Sequence, residues 1–385
     1  MISKRVLVQE GPAIGAGVVE AGPLLFTSGY DGIRDLKTQK IEPGLAGAAE
    51  AQCENSYGAV AAVLGKANAE MNAVVRLDHF TSSQDWLPRR QTVRGKFFGR
   101  PAPLASTGVA AKMAGLNMLT TAVVAVRDAN RKKVLVTGPE YGMGNISSAV
   151  LGGPFVFLSG LRGTVDPRSG RAVAEETQES LSAQARVCYE VMCEILKKCG
   201  ATSESLLRID CFLREIGRAD EDRAARRAIV GDTAVAATTV GLPLGARGEI
   251  EVTALALAPG QKVKKVYASG GNGVLAVSAG GFAFVGECLG ALDGDNGKAA
   301  IALAGDFEAQ VQNALNTLAK RLDTCNCDLQ SIARLDVYLT DIYRMNQLKE
   351  ILRSRFSKEL PAVVVGGAEL PGLSQVCLNA IAVQA

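Results

Sequence analysis

Gly22-Pro23-Leu24-Leu25-Phe26-Thr27-Ser28-Gly29 opens an apolar strand, and the phrase returns as Gly153-Pro154-Phe155-Val156-Phe157-Leu158-Ser159-Gly160. A looser third copy reads Gly281-Phe282-Ala283-Phe284-Val285-Gly286. A second phrase recurs downstream as Val75-Arg76-Leu77-Asp78-His79-Phe80, Leu207-Arg208-Ile209-Asp210-Cys211-Phe212 and Ala333-Arg334-Leu335-Asp336-Val337-Tyr338. Each unit then closes on an apolar strand: Thr121 to Val126, Glu251 to Leu257, Asn379 to Val383. The period is about 130 residues, against about 20–50 for a solenoid repeat, so each copy is a domain. The expected boundaries are 1–130, 131–260 and 261–385. Three such domains in one chain predict a fused trimer whose lobes are free to diverge, because one polypeptide need not be symmetric.

The 385 residues are 48% hydrophobic and 21% charged, the composition of a globular protein. No apolar run approaches the roughly 18–20 residues of a membrane span. Met1-Ile2-Ser3-Lys4-Arg5 passes straight into strand-like Val6-Leu7-Val8, so cytoplasm is the expected location. A net charge of +3 and the lack of basic runs with interleaved aromatics argue against nucleic acid as partner. The nine cysteines are scattered, mostly in apolar contexts where a reduced Cys acts as a small hydrophobe. Cys325-Asn326-Cys327 has no partnering histidines, and the chain holds one histidine, His79, so no metal site is expected. His79 shares its slot with Cys211 and Val337, which favours a packed strand histidine over a general base.

Each unit reads as ββαβαββ. Two strands joined by a turn come first; in the second unit Phe155–Leu161 leads through Asp166-Pro167-Arg168-Ser169-Gly170 into a returning segment. Helical periodicity covers 48–68, 177–199 and 306–322, then 86–97, 221–230 and 345–356. Closing strand pairs fall at 106–111 and 119–126, 238–242 and 249–257, 362–366 and 375–383. The prediction is α+β: mixed sheets, each with two helices on one face, packing their bare faces about a pseudo-threefold axis. Clefts between lobes are then the places for a ligand.

These residues resemble the RidA (YjgF) family of enamine and imine deaminases. The likeness rests on Leu25-Phe26-Thr27-Ser28-Gly29, Val63-Leu64-Gly65, Phe97-Phe98-Gly99 followed by prolines, and Leu335-Asp336-Val337-Tyr338-Leu339-Thr340-Asp341. It implies three tandem chorismate-mutase-like domains forming an intramolecular pseudo-trimer with active sites between lobes. It also implies the chemistry: an arginine fork holds a substrate carboxylate, and a glutamate on the last strand positions a water that releases ammonia from the imine. No cofactor is needed. The family arginine falls at Ala105, Ala237 and Val363, so it is missing in all three units. The glutamate is kept at Glu251 and becomes Thr120 and Cys377 elsewhere.

The candidate catalytic residues are therefore Glu251, as water-positioning base, with Thr239 and Ser159. Glu251 also fits a solvated carboxylate on the alternating Glu249-Ile250-Glu251 strand. Arg162 is the candidate replacement carboxylate anchor, or a surface loop arginine. Thr238 joins that cleft; Tyr30, Ser28, Ser106 and Thr107 make the matching set in the first, and Glu287 is a carboxylate introduced into a neighbouring cleft. Arg76, Arg208 and Arg334 read as scaffold ion-pair positions. The expected activity is hydrolytic deamination of a carboxylate-bearing enamine or imine, for example a 2-aminomuconate-type ring-cleavage product. The alternatives are a barbiturase-like cyclic-amide hydrolase, using Ser106 with Lys112, and a non-catalytic ligand-binding scaffold. The expected partner is a small carboxylate, with neither nucleic acid nor membrane, and with a homodimer of pseudo-trimers possible.

Overall fold

The structure, a computed structural model, describes every residue except 1, 10–13, 36, 37, 39, 139, 140, 142, 143, 167–170, 246, 262–266, 271, 272, 294–296, 357, 358 and 385. It is a mixed α+β fold with three large sheets and two small two-stranded ribbons. Across the first sheet the strands run Lys4–Val8, Val18–Ala21, Leu24–Thr27, Leu119–Val126, Val74–Thr81, Ala105–Ala110. The second runs Lys132–Val136, Ala149–Gly152, Phe155–Leu158, Ile250–Leu257, Leu206–Leu213, Ala236–Gly241. The third runs Tyr267–Gly270, Gly273–Ala279, Phe282–Leu289, Val376–Val383, Ile332–Leu339, Ala362–Gly367. In each sheet only the last two strands named are parallel.

Each sheet therefore has one more leading strand than the ββαβαββ reading. Lys4–Val8 and Lys132–Val136 are half-exposed edge strands with charged residues, which carry little of the apolar signal of a buried strand. The second-unit hairpin also differs. Phe155–Leu158 pairs back with Ala149–Gly152, while Val165–Asp166 and Arg171–Ala172 form a separate ribbon. Most of the Asp166–Gly170 turn lies outside the described residues.

Long helices Ala49–Lys66, Leu181–Lys198 and Phe307–Asp323 cover one face of the three sheets in turn. All three end alike. Asn68, Gly200 and Asn326 take positive φ of 53°, 75° and 56°. The next amide bonds back to a carbonyl five residues earlier: Ala69 to Leu64, Ala201 to Leu196, Cys327 to Leu322. This closure satisfies carbonyls the helix leaves open. Shorter helices Leu87–Phe98, Ala219–Val230 and Met345–Arg355 lie between the paired parallel strands. Among the described residues no helix is long and apolar enough to cross a membrane.

The other sheet faces bury themselves on one another. Phe155 packs edge-on to Phe282 and Phe284, with ring centroids 5.2 and 5.4 Å apart, and Phe80 meets Tyr338. Arg76, Arg208 and Arg334 each bond the Asp two residues on. Two also reach across sheets: Arg334 to Asp78 at 2.8 Å and Arg208 to Asp336 at 2.6 Å. Arg76 instead donates to Thr253 Oγ1 and the Leu158 carbonyl of the second sheet. Burial raises Asp210, which keeps one arginine, whereas at Asp336 two guanidinium groups outweigh burial and hold the carboxyl low.

Candidate active site

Register across the parallel strands fixes which positions are equivalent. Arg76 lies opposite Ala105, Arg208 opposite Ala236, Arg334 opposite Ala362. The counterpart of Ala237 and Val363 is thus Ser106, one residue beyond the expected Ala105. Ser106 and Gly108 line a cavity between the first and second sheets, while Ala105 is buried in the apolar core.

That cavity has a volume of about 260 Å³. Glu251, on Ile250–Leu257, faces it and is 2% exposed. Leu161–Arg162 pairs antiparallel to the same strand and sets Arg162 directly opposite Glu251. Cross-strand partners share a face, and Arg162 Nε donates to Glu251 Oε2 at 2.7 Å. Glu251 holds the Arg162 guanidinium above its ordinary pKa. Gly160 leaves room for the carboxylate, since a Cβ there would lie 2.3 Å from Glu251 Oε1.

The helix Leu87–Phe98 adds Arg90 and Arg94, one turn apart, to the same wall. Both are buried, and Arg90 Nε has no hydrogen-bond partner. Burial lowers both guanidinium pKa values, yet arginine starts so high that the charge persists near neutrality. The cavity therefore sets one carboxylate among three guanidinium groups. Cys188 also faces it, but burial, with Glu251 nearby, raises its thiol pKa far above neutrality, which leaves it a poor nucleophile.

Arg90 and Arg94 are absent from the sequence-derived set. Pro88-Arg89-Arg90-Gln91-Thr92-Val93-Arg94 resembles a solvated face. The signal lay in the repeat, because the same inward positions of the third unit hold Leu348 and Leu352.

The remaining candidates do not converge here. Ser159 is fully buried; its hydroxyl donates to the Ser147 carbonyl and accepts from the Ser106 amide, so it clamps two sheets together. Ser28 does the same between the Ala16 carbonyl and the Val363 amide of the third sheet, and it does not line the cavity that Ser106 lines. Tyr30 lies in the core with its hydroxyl unpartnered, and burial raises its pKa. Thr107 accepts from Arg76 on the central face, and Thr238 accepts from Asn379 Nδ2. Thr239 and Glu287 face a different cavity, between the second and third sheets. Ser106 and Lys112 are six residues apart along an extended segment, roughly 20 Å, with Lys112 exposed. No serine–lysine pair forms there.

The pair equivalent to Arg162–Glu251 is Asp31–Thr120 in the first sheet and Leu289–Cys377 in the third. Among the described residues, one of these three equivalent pairs sets a carboxylate on the last strand against a facing guanidinium. Among the described residues no three His, Cys, Asp or Glu side chains cluster as a metal site.

The model of the family described as Endoribonuclease L-PSP matches residues 272–384. The chain is similar in structure to a crystallised chorismatase, with TM-score 0.55 and 16% identity over 81% of this chain and 93% of that one. It is also similar to the YjgF gene product of E. coli, with TM-score 0.29 and 20% identity over 33% of this chain and 100% of that one. A YjgF-family member from Mycobacterium tuberculosis gives TM-score 0.28 and 22% identity over 33% and 99%. Comparison with curated proteins finds no match. The RidA/YjgF resemblance is thus supported over residues 272–384, and the chorismatase likeness shows a shared fold across most of the chain.

Proposed function

We propose that the chain is a cofactor-independent hydrolase for a small carboxylated enamine or imine, built as three RidA-like lobes (1–130, 131–260 and 261–385) closed into a pseudo-trimer. Catalysis belongs to the cavity between the first two lobes. The observation that carries this reading is Glu251, buried on that cavity with Arg162, Arg90 and Arg94 around it. An excess of buried positive charge favours an anionic ligand, and guanidinium groups match carboxylates two bonds at a time. Arg90 and Arg162 take the place of the missing family arginine and hold the substrate carboxylates. Glu251 orients a water and takes its proton as the oxygen bonds to the imine carbon. Glu251 returns that proton to the nitrogen to give the carbinolamine, then carries the carbinolamine hydroxyl proton to the same nitrogen, so that the C–N bond breaks, ammonia leaves and a carbonyl product remains.

A 2-aminomuconate is the substrate we test first. Glu251→Gln lowers the rate of ammonia release by about 10²-fold or more, the usual contribution of a positioned base. Full activity in Glu251→Gln contradicts the assignment. The fold match with a chorismatase over 81% of the chain favours a second reading, in which the carboxylated substrate is chorismate. Consumption of chorismate without ammonia release by the same preparation decides for it. Nine free cysteines fit a reducing compartment, the cytoplasm.

A further inference from the structure

The seam between the second and third sheets encloses its own cavity of about 230 Å³. The helix Ala219–Val230 contributes Arg223, Arg226 and Arg227, and Phe307–Asp323 contributes Arg321. Among the described residues, the acidic groups on the cavity are Asp232 and Glu287, so four guanidinium groups face two carboxylates. Glu287 is engaged: its Oε2 accepts from the Thr239 amide at 2.9 Å, and Oε1 lies 3.6 Å from Arg223. Arg321 is fixed as wall, donating to the Glu287 carbonyl at 2.6 Å. Arg226 Nη1 is buried with no hydrogen bond, 3.9 Å from Asp222 Oδ2. Arg223 and Arg227 are exposed at the rim.

Arg226 is half-buried beside Asp222 and keeps a donor free of hydrogen bonds, and with Arg223 and Arg227 at the mouth it offers permanent positive charge to an anion, because arginine does not discharge. The strand position that carries Glu251 in the first seam holds Cys377 here, fully buried, its thiol pKa pushed well up by that burial. No carboxylate therefore stands here at the strand position that faces Arg162 in the first seam, and Glu287 is held by the Thr239 amide and Arg223.

We propose that this second cavity binds, without transforming it, a small dianion, either a phosphoryl group or a pair of carboxylates held by Arg223, Arg226 and Arg227. Glu287 competes for the same arginines. The site is independent of catalysis at the first seam.

Isothermal titration of the full chain with inorganic phosphate and, separately, with succinate tests this. At least one probe binds, and Arg223→Ala/Arg227→Ala weakens that binding by about tenfold or more, the loss of one or two charge-assisted contacts. Glu287→Gln tightens it, and Arg162→Ala, in the other cavity, leaves that event in place. Binding of phosphate assigns a phosphoryl ligand; binding of succinate alone assigns a dicarboxylate. Both substituted arginines are exposed, and an unchanged thermal melt confirms that the double variant is folded. Absence of binding by both probes, or binding that the double variant leaves intact, overturns the proposal.

Discussion

Gly108 marks how tightly the first cavity is fitted around its charges. A Cβ there would come within 2.5 Å of both terminal nitrogens of Arg90. Gly108→Ala therefore displaces that guanidinium without touching Glu251. We predict that KM for a carboxylated substrate rises about tenfold while kcat changes less, as steady-state kinetics would read, because binding is lost rather than water activation. Equal losses in kcat and kcat/KM would place Arg90 in the chemical step instead. At this scale the sequence was legible where a polar residue interrupts an apolar strand. Glu251 stands in such a run, and Arg162 follows a recurring Ser-Gly. It was illegible for Ser28 and Ser159, whose hydroxyls look catalytic in a list of residues yet bond the backbones of two sheets. Register also hid a one-residue offset between Ala105 and Ala237, since a single extra residue before a strand leaves its composition unchanged.

Elements repeat more faithfully than the residues they carry, and their termini give testable increments. Asp306 caps Phe307–Asp323 by accepting from the Ala309 amide at 3.0 Å, whereas Ala48 offers no cap to Ala49–Lys66. Asp306→Ala costs about 1 kcal/mol, measurable by urea unfolding. Within Val74–Thr81, buried His79 meets the Tyr57 hydroxyl at 2.7 Å through Nε2, and its Nδ1 is unpartnered. Burial, with Arg90 and Arg94 nearby, pushes its pKa well below the usual 6.5. The folded state keeps the ring neutral while the unfolded chain protonates it, so His79's contribution is complete above about pH 6.5 and is lost as pH falls below it. The predicted slope is at most about 1.4 kcal/mol per pH unit, and His79→Cys, the residue of the second unit's equivalent slot, flattens it. Urea melts at pH 7.5 and 5.5 that give both proteins the same difference would contradict this. Helix positions were readable from periodicity to within a few residues; of the half-exposed edge strands, Val6-Leu7-Val8 showed and Lys132–Val136 did not.

At the scale of the molecule the centre is held by charge as well as hydrocarbon. Arg334 bonds both Asp336 and Asp78, joining the third sheet to the first. Arg334→Met leaves those buried carboxylates one partner short and destabilises the chain by about 3 kcal/mol or more, read from the shift in urea midpoint. The recurring Arg-x-Asp phrase made this belt legible in advance, because Arg76, Arg208 and Arg334 take the same register position in their sheets. Divergence among the seams was only partly legible, because the helix faces that charge two of them and leave Leu348 and Leu352 on the third show only when the lobes are superposed. The most direct test of the account is a crystal of the protein soaked with muconate, a dicarboxylate lacking the reactive nitrogen. The account predicts muconate density in the cavity between the first two sheets, with a carboxylate on Arg90 or Arg162 and the carbon chain passing Glu251. An empty first cavity with muconate bound elsewhere would contradict it.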